Sequence, residues 1–225
     1  MNDTNKTRLG LLLAFISLTA MCYIEQVIAP SYLFKSIWKV SLFLGAILLY
    51  RFVSREKLTE VIHLKKMKKA RILYLGMAVA YLGIIVLFLL LRNVIDLENI
   101  RANLLAKENL TRDNFIYVFI YIIICNSFLE EAFFRGFISH LFDKLGYKKF
   151  GAIISALGFA IYHIGMVASW FNPLIFALCI GGLAVVGLML QAVCNYYDSL
   201  KASWLIHGCA NLAINTIGTI MILGL

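Results

Sequence analysis

Phe128-Leu129-Glu130-Glu131-Ala132-Phe133-Phe134-Arg135-Gly136 places two carboxylates and a guanidinium inside an apolar run that covers residues 115–142. A helix of that length is long enough to cross a bilayer. Ionisable side chains inside a membrane span are costly, so they usually face the interior of a helix bundle and mark a functional site. The sequence therefore predicts a membrane protein whose functional site involves this span.

The spacing of the three charged residues distinguishes the two glutamates. Glu131 and Arg135 are four residues apart, so they share one face of a helix and are predicted to form an ion pair. Glu130 is turned by about 100° from Glu131 around the helix axis and reaches the arginine less easily. We therefore expect one paired carboxylate, Glu131, and one that is left free, Glu130.

The composition of the whole chain agrees with an integral membrane protein. Of its 225 residues, 62% are hydrophobic and 15% are charged, and the mean hydropathy is +0.86. A soluble domain is only about half apolar and about a quarter charged. The net charge is +9, and basic residues cluster in a loop at residues 51–71. We expect this loop to lie against anionic lipid and not against nucleic acid.

The apolar runs predict an all-α fold, a polytopic transmembrane helical bundle of about seven spans that forms a single domain over residues 1–225. The predicted spans are residues 9–28, 32–53, 72–91, 115–141, 150–170, 173–193 and 203–225. Pro30 separates the first two spans, which we expect to form a hairpin. Apolar residues among lysines predict a surface amphipathic helix at residues 54–69.

The charges of the loops predict the orientation of the bundle. Basic residues dominate the loop 51–71, and three more lysines follow the fourth span, whereas the charges of the loop 92–114 balance. Loops rich in lysine and arginine lie on the cytoplasmic side of a membrane. We therefore expect a multi-pass protein of the cell membrane, such as a bacterial plasma membrane, with its N-terminus in the cytoplasm.

Two further spans carry polar residues at about the depth of Glu130. The fifth span holds His163, and the seventh holds His207 and Asn211, whose spacing of four residues puts both on one face of a helix. At about 1.5 Å per residue, all of these residues lie roughly 10 to 20 Å into the membrane. Three helices are therefore predicted to bring a carboxylate, two imidazoles and an amide together.

These groups suit the hydrolysis of a peptide bond by water. A carboxylate in an apolar site is a stronger base than one in water, an imidazole can share the proton, and amide or imidazole donors can hold an oxyanion. The sequence lacks HExxH, GxSG and an aspartate within a span, which other membrane-embedded proteases would need. Cys209 projects to a different side of its helix from His207 and Asn211, so we do not expect it to be a nucleophile.

The arrangement resembles the CAAX protease and bacteriocin-processing (CPBP) family of intramembrane glutamic endopeptidases, also called the Abi family. Its motifs EExxxR, FxxxH and HxxxN are matched, within a family-like core of about residues 115–215, by Glu130-Glu131 to Arg135, Phe159 to His163, and His207 to Asn211. The resemblance implies that Glu130 and His163 activate water. It implies that His207 and Asn211 form the oxyanion site, and that Glu131 with Arg135 holds the fourth helix in shape. It also implies a reaction without metal or cofactor on a membrane-embedded or membrane-associated peptide or protein.

Three other interpretations stay open. A membrane protein of bacteriocin self-immunity or scaffolding type would retain the same motifs without depending on catalysis. A transporter would relay protons through its glutamates and histidines, but its expected inverted repeats are absent, and Pro30 and Pro173 lie at span ends and not near the midplane. A zinc ion held by Glu130, His163 and His207 would give a metalloprotease. The sequence predicts no oligomeric state.

Overall fold

The computed structural model describes residues 2–67, 71–106, 108–111 and 113–223. Within these ranges the chain is mostly helical and contains no strand, and seven helices are long and apolar enough to cross a membrane. The predicted all-α, multi-pass membrane bundle is therefore confirmed. The predicted ends of the amphipathic segment and of the seventh span, at Lys69 and Leu225, lie outside the described residues.

The helices, numbered along the chain, agree with the predicted spans to within a few residues at most ends. They are α1 (Asp3–Ile28), α2 (Tyr32–Ser54), α3 (Leu58–Val61), α4 (Arg71–Leu91), α5 (Leu97–Ala106), α6 (Phe115–Lys144), α7 (Lys148–Val167), α8 (Pro173–Tyr197) and α9 (Leu200–Leu223). The helices α1 and α2 pack against each other, which confirms the predicted hairpin. The helix α8 begins at Pro173, and the side chain of Asn172 caps it by accepting from the backbone amide of Ile175.

In its described part, residues 54–67, the segment 54–69 is not the surface amphipathic helix that its sequence predicts. Its helical part is the single turn α3, and the backbone takes a left-handed conformation on either side of that turn, at Arg55 and His63. Ile62 is buried in the core of the bundle. Gly136 of α6 makes room for the segment, because a Cβ atom there would lie 2.7 Å from Cα of Ile62. The segment packs into the bundle because this removes its apolar side chains from water and lipid headgroups.

The core of the bundle lies between α1, α2 and α6. Phe43 of α2 stacks on Phe133 of α6 with 3.9 Å between the ring centroids, and Phe134 packs edge-on against Phe43. All three side chains are fully buried, so these contacts contribute both apolar burial and favourable ring geometry. Because Phe133 and Phe134 directly follow the acidic pair, one short stretch of α6 holds the charges and also fixes α6 against α2.

The helices near the acidic pair are not regular α-helices. Within α6, the α-helical turn Ser127–Glu131 lies between two π-helical turns, Ile122–Asn126 and Ala132–Ile138. Within α2, a π-helical turn at Val40–Leu44 directly follows Lys39. Such turns rotate the side chains that follow them and are frequent at functional sites. These π-helical turns were not predicted from the sequence.

Candidate active site

Glu131 and Arg135 form the ion pair that their spacing predicts. Oε1 of Glu131 lies 3.3 Å from Nη1 of Arg135, and both side chains are completely buried. The guanidinium also lies over the ring of Phe159 in α7, with 4.2 Å between Cζ and the ring centroid. Because water is excluded here, this cation–π contact is strong. Phe159 therefore gives the arginine a second partner and connects α6 to α7.

Glu130, His163 and His207 converge, as their depths in three helices predict. Oε2 of Glu130 lies 4.0 Å from Nε2 of His163 and 3.8 Å from Nε2 of His207. Glu130 is 2% exposed. The two distances are too long for direct hydrogen bonds, but they suit a water molecule that bridges the carboxylate and the imidazoles. The predicted convergence of these side chains is therefore confirmed.

Each of these histidines is held by its other ring nitrogen. Nδ1 of His163 lies 2.7 Å from the carbonyl oxygen of Phe159, and Nδ1 of His207 lies 3.0 Å from Oε1 of Glu131. A carbonyl oxygen and an ionised carboxylate only accept hydrogen bonds, so Nδ1 is the donor in both cases. These bonds fix the orientation of both rings and direct both Nε2 atoms towards Glu130.

Glu131 has a partner that spacing within one helix does not reveal. Besides pairing with Arg135 in α6, it accepts the hydrogen bond from His207 in α9. The two helices come close at Gly208, where a Cβ atom would lie 3.2 Å from the carbonyl oxygen of Ile123. The glycine that follows His207 therefore lets α9 approach α6 closely enough for this contact.

Glu130 is not the free carboxylate that its position on the helix predicts. Nζ of Lys39 in α2 lies 3.2 Å from Oε1 of Glu130, and Nδ2 of Asn126 donates to the same oxygen at 2.9 Å. A buried carboxylate needs a compensating charge and hydrogen bonds, and Lys39 supplies the charge. The prediction was wrong because it compared Glu130 only with Arg135, and so missed both Asn126 on the same helix and Lys39 on α2.

Asn211 lies one helical turn after His207 in α9 and is partly buried. Its Nδ2 donates to the carbonyl oxygen of Ile122 in α6 at 3.3 Å. An amide nitrogen carries two protons, so this bond uses one of them and leaves the other for a ligand. The assignment of Asn211 to an oxyanion site stays a prediction.

The two remaining histidines lie away from Glu130. Nε2 of His140 is 2.6 Å from Oε2 of Glu56, and Nε2 of His63 is 3.0 Å from Oδ1 of Asp198. In the part of the chain that the structure describes, no three histidine, cysteine, aspartate or glutamate side chains are grouped so as to hold a metal ion. Measuring the metal content of the purified protein is the direct test of the zinc alternative.

Comparison with known proteins bears on the segment that contains these residues. Residues 112–213, which cover α6, α7, α8 and the first part of α9, match the family model described as Rce1-like, type II CAAX prenyl endopeptidase. Comparisons with curated proteins and with solved structures give no match. The segment 112–213 is therefore similar to the Rce1-like family of CAAX endopeptidases, and this match confirms the resemblance indicated by the three motifs.

Proposed function

We propose that the protein is an intramembrane endopeptidase of the glutamic type, which hydrolyses a peptide bond of a membrane-embedded or membrane-associated protein or peptide. The proposal is carried by one observation, that Oε2 of Glu130 faces Nε2 of His163 at 4.0 Å and Nε2 of His207 at 3.8 Å. The match of residues 112–213 to an endopeptidase family model supports the reaction class. The seven membrane-length helices support a substrate that reaches the site from the bilayer.

Glu130 is the proposed base. A water molecule between Glu130 and His163 gives one proton to Oε2, and its oxygen attacks the carbonyl carbon of the scissile bond. Nδ1 of His163 already donates to the carbonyl oxygen of Phe159, so the lone pair of Nε2 accepts a hydrogen bond from the other O–H of the water and orients it. The water is thus held by two acceptors that the fold keeps in place.

His207 and Asn211 are the proposed donors to the oxyanion that this attack creates. Asn211 donates the Nδ2 proton that Ile122 does not use. Nε2 of His207 is the other proposed donor, and the bond from its Nδ1 to Glu131 at 3.0 Å holds the ring in place. Donors held in place before the reaction stabilise the developing charge most effectively. The oxyanion then collapses and the C–N bond breaks, while Glu130 gives its proton to the leaving amine, which restores the carboxylate.

Lipidation of the substrate and the setting of the protein are further parts of the proposal. The family description reads CAAX prenyl endopeptidase, so we propose a peptide with a prenylated cysteine near its C-terminus as the first substrate to test. We place the protein in the cell membrane with its N-terminus in the cytoplasm, because its basic loops are expected on the cytoplasmic side.

A role in bacteriocin self-immunity or scaffolding is the alternative function, and it predicts a cellular phenotype that survives the loss of Glu130.

The test uses the full chain in proteoliposomes and two internally quenched peptides, one prenylated at the cysteine and one not. The variants are Glu130→Gln and, as a matched control, Glu25→Gln, which changes another buried carboxylate of a span that is paired with a lysine. We expect cleavage by wild type and Glu25→Gln but not by Glu130→Gln. Equal cleavage by all three proteins would overturn the proposal. Stoichiometric zinc, with activity lost to a chelator and restored by zinc, would replace it with the zinc alternative.

A further inference from the structure

We infer that Lys39 is a positioning residue of the active site, which together with Asn126 holds one oxygen of Glu130 so that the other oxygen faces the water. This inference rests on the proposed function. Neither residue belongs to the three motifs, and Lys39 lies outside the segment 112–213 that matches the family model.

The two oxygens of Glu130 have separate partners. Oε1 accepts from Nζ of Lys39 at 3.2 Å and from Nδ2 of Asn126 at 2.9 Å, whereas Oε2 faces the histidines. Lys39 also donates to Oδ1 of Asn126 at 2.7 Å. The three side chains therefore close a ring of hydrogen bonds that fixes the plane of the carboxylate. A general base depends on such alignment with its water.

The surroundings of Lys39 are those of a functional lysine within a membrane span. It is 7% exposed, and its ammonium group lies 4.9 Å from the ring centroid of Tyr162. Lys39 directly precedes the π-helical turn Val40–Leu44, and Asn126 ends the π-helical turn Ile122–Asn126. The helices α2 and α6 thus both depart from regular α-helical geometry next to the residues that bind Oε1 of Glu130. Buried lysines in spans are rare and have specific partners.

Charge gives Lys39 a second effect on Glu130. A buried carboxylate that has lost its compensating cation takes up a proton instead of remaining ionised. A protonated Glu130 could not accept a proton from water. Lys39 therefore orients the base and also keeps it ionised, and it does both through Glu130 without touching the substrate.

Lys35 is a matched control for Lys39 on the same helix. It lies one turn earlier, is 3% exposed, and its Nζ lies 3.3 Å from Oε2 of Glu25 and 2.7 Å from Oε1 of Glu108. The two lysines are similarly buried and similarly paired with carboxylates. They differ in their partners, because Lys39 binds Glu130 whereas Lys35 binds Glu25 and Glu108. Loss of either should weaken the fold, but only loss of Lys39 should change the chemistry.

The kinetic test compares Lys39→Met, Lys39→Arg and Lys35→Met in proteoliposomes with the quenched peptide that wild type cleaves. We expect Lys39→Met to lower kcat about a hundredfold or more with KM unchanged, the size of effect typical of a lost general base. Lys39→Arg should recover part of this loss because it keeps the charge. Lys35→Met should keep the wild-type kcat per folded molecule. Equal kcat values for Lys39→Met and Lys35→Met would overturn the inference.

A second measurement needs no substrate. Dicyclohexylcarbodiimide reacts with protonated carboxyl groups in apolar surroundings, and mass spectrometry locates the modified residue. We expect Glu130 to be modified in Lys39→Met but not in wild type or Lys35→Met. Equal modification of Glu130 in all three proteins would overturn the inference whether or not the protein is a protease. Modification that depends on Lys39, in a protein that cleaves no peptide, would instead refute the proposed function alone.

Asn126→Ala separates alignment from charge and serves as the second variant if Lys39→Met does not fold. It removes the hydrogen bonds to Glu130 and Lys39 but keeps the ammonium group. We expect a lower kcat with unchanged KM and no modification of Glu130 by the carbodiimide. A wild-type kcat in Asn126→Ala would show that the ring of hydrogen bonds does not position the base, and the inference would fall.

Discussion

Nδ1 of His207 donates to Oε1 of Glu131 at 3.0 Å, and this is the same oxygen that lies 3.3 Å from Nη1 of Arg135. An ion pair that belongs to the interior of α6 thus also orients an imidazole of α9. The far nitrogen of that imidazole faces Glu130 at 3.8 Å. The carboxylate of Glu131 therefore both stabilises α6 and orients His207 in the site.

Glu131→Ala should lower both the stability of the protein and its turnover. It leaves Arg135 buried without its carboxylate, at a cost of about 3 to 5 kcal/mol, and it releases His207 from its hydrogen bond. Arg135→Ala should cost similar stability but leave the bond from His207 in place. Thermal unfolding in detergent gives the first quantity, and kcat per folded molecule gives the second. An equal loss of kcat in both variants would contradict the orienting role of Glu131.

Phe159→Leu should destabilise the protein more than an ordinary apolar substitution. Its ring lies under the guanidinium of Arg135 and packs edge-on against His163, with 4.5 Å between the ring centroids. We expect a loss of about 2 kcal/mol from the buried cation–π contact. Phe150→Leu is the control on the same helix, since Phe150 is 54% exposed. Melting temperatures that fall equally in the two variants would show that Phe159 has no special partner.

Asn211→Ala should reduce kcat by roughly a hundred- to a thousandfold with little change in KM, the usual result of losing one oxyanion donor. Asn211→Asp should be no better, because it replaces a donor with a negative charge. Asn215→Ala is the control, since Asn215 lies one turn further along α9 and donates to the carbonyl oxygen of Phe119 in α6. Near wild-type turnover of Asn211→Asp would instead assign Asn211 to orienting the water.

The fold should lose stability in acid through Glu56, which lies after the end of α2. Burial raises the pKa of Glu56, but hydrogen bonds from Lys144, Tyr50 and His140 outweigh burial and hold the pKa below its ordinary value of 4.5. A carboxylate whose pKa is lower in the folded than in the unfolded chain stabilises the fold above the unfolded value. This contribution is lost as the pH falls through the folded value. We therefore expect the melting temperature to fall below about pH 4.5.

Glu56→Gln tests that assignment. The variant should melt at a lower temperature at pH 7 and show a flatter decline between pH 5 and about pH 3, since the titrating group is gone. Glu60→Gln, which removes an exposed carboxylate of α3, should retain the wild-type dependence on pH. The same decline in wild type and Glu56→Gln would show that other carboxylates govern unfolding in acid.

The spans and the convergence of three helices could be predicted because both follow from local properties of the sequence. Hydropathy shows where a chain can cross a membrane, and the count of residues from a span end gives depth. The pairing of Glu131 with Arg135 followed from helical spacing alone. Glu130, His163 and His207 share a depth, and they meet because a costly polar group in a span is placed against others.

The bond from Asn126 to Glu130 follows the spacing of four residues within α6 and was overlooked, but two other missed contacts depend on how helices are rotated against each other. The pairing of Lys39 with Glu130 joins α2 to α6, and that of Glu131 with His207 joins α6 to α9. No spacing rule within a helix reports such contacts, and π-helical turns change the rotation further. The segment 54–69 was mispredicted for a related reason, because its apolar residues indicate burial but not the surface that buries them.

The central claim, that Glu130 makes this protein a protease, is tested most directly by mapping new peptide termini in membranes. Membranes that contain equal amounts of wild type or Glu130→Gln are compared by mass spectrometry of protein N- and C-termini, without any assumption about the substrate. The account predicts at least one membrane protein or peptide that is cut with wild type and intact with Glu130→Gln. Identical termini in both sets of membranes would contradict it.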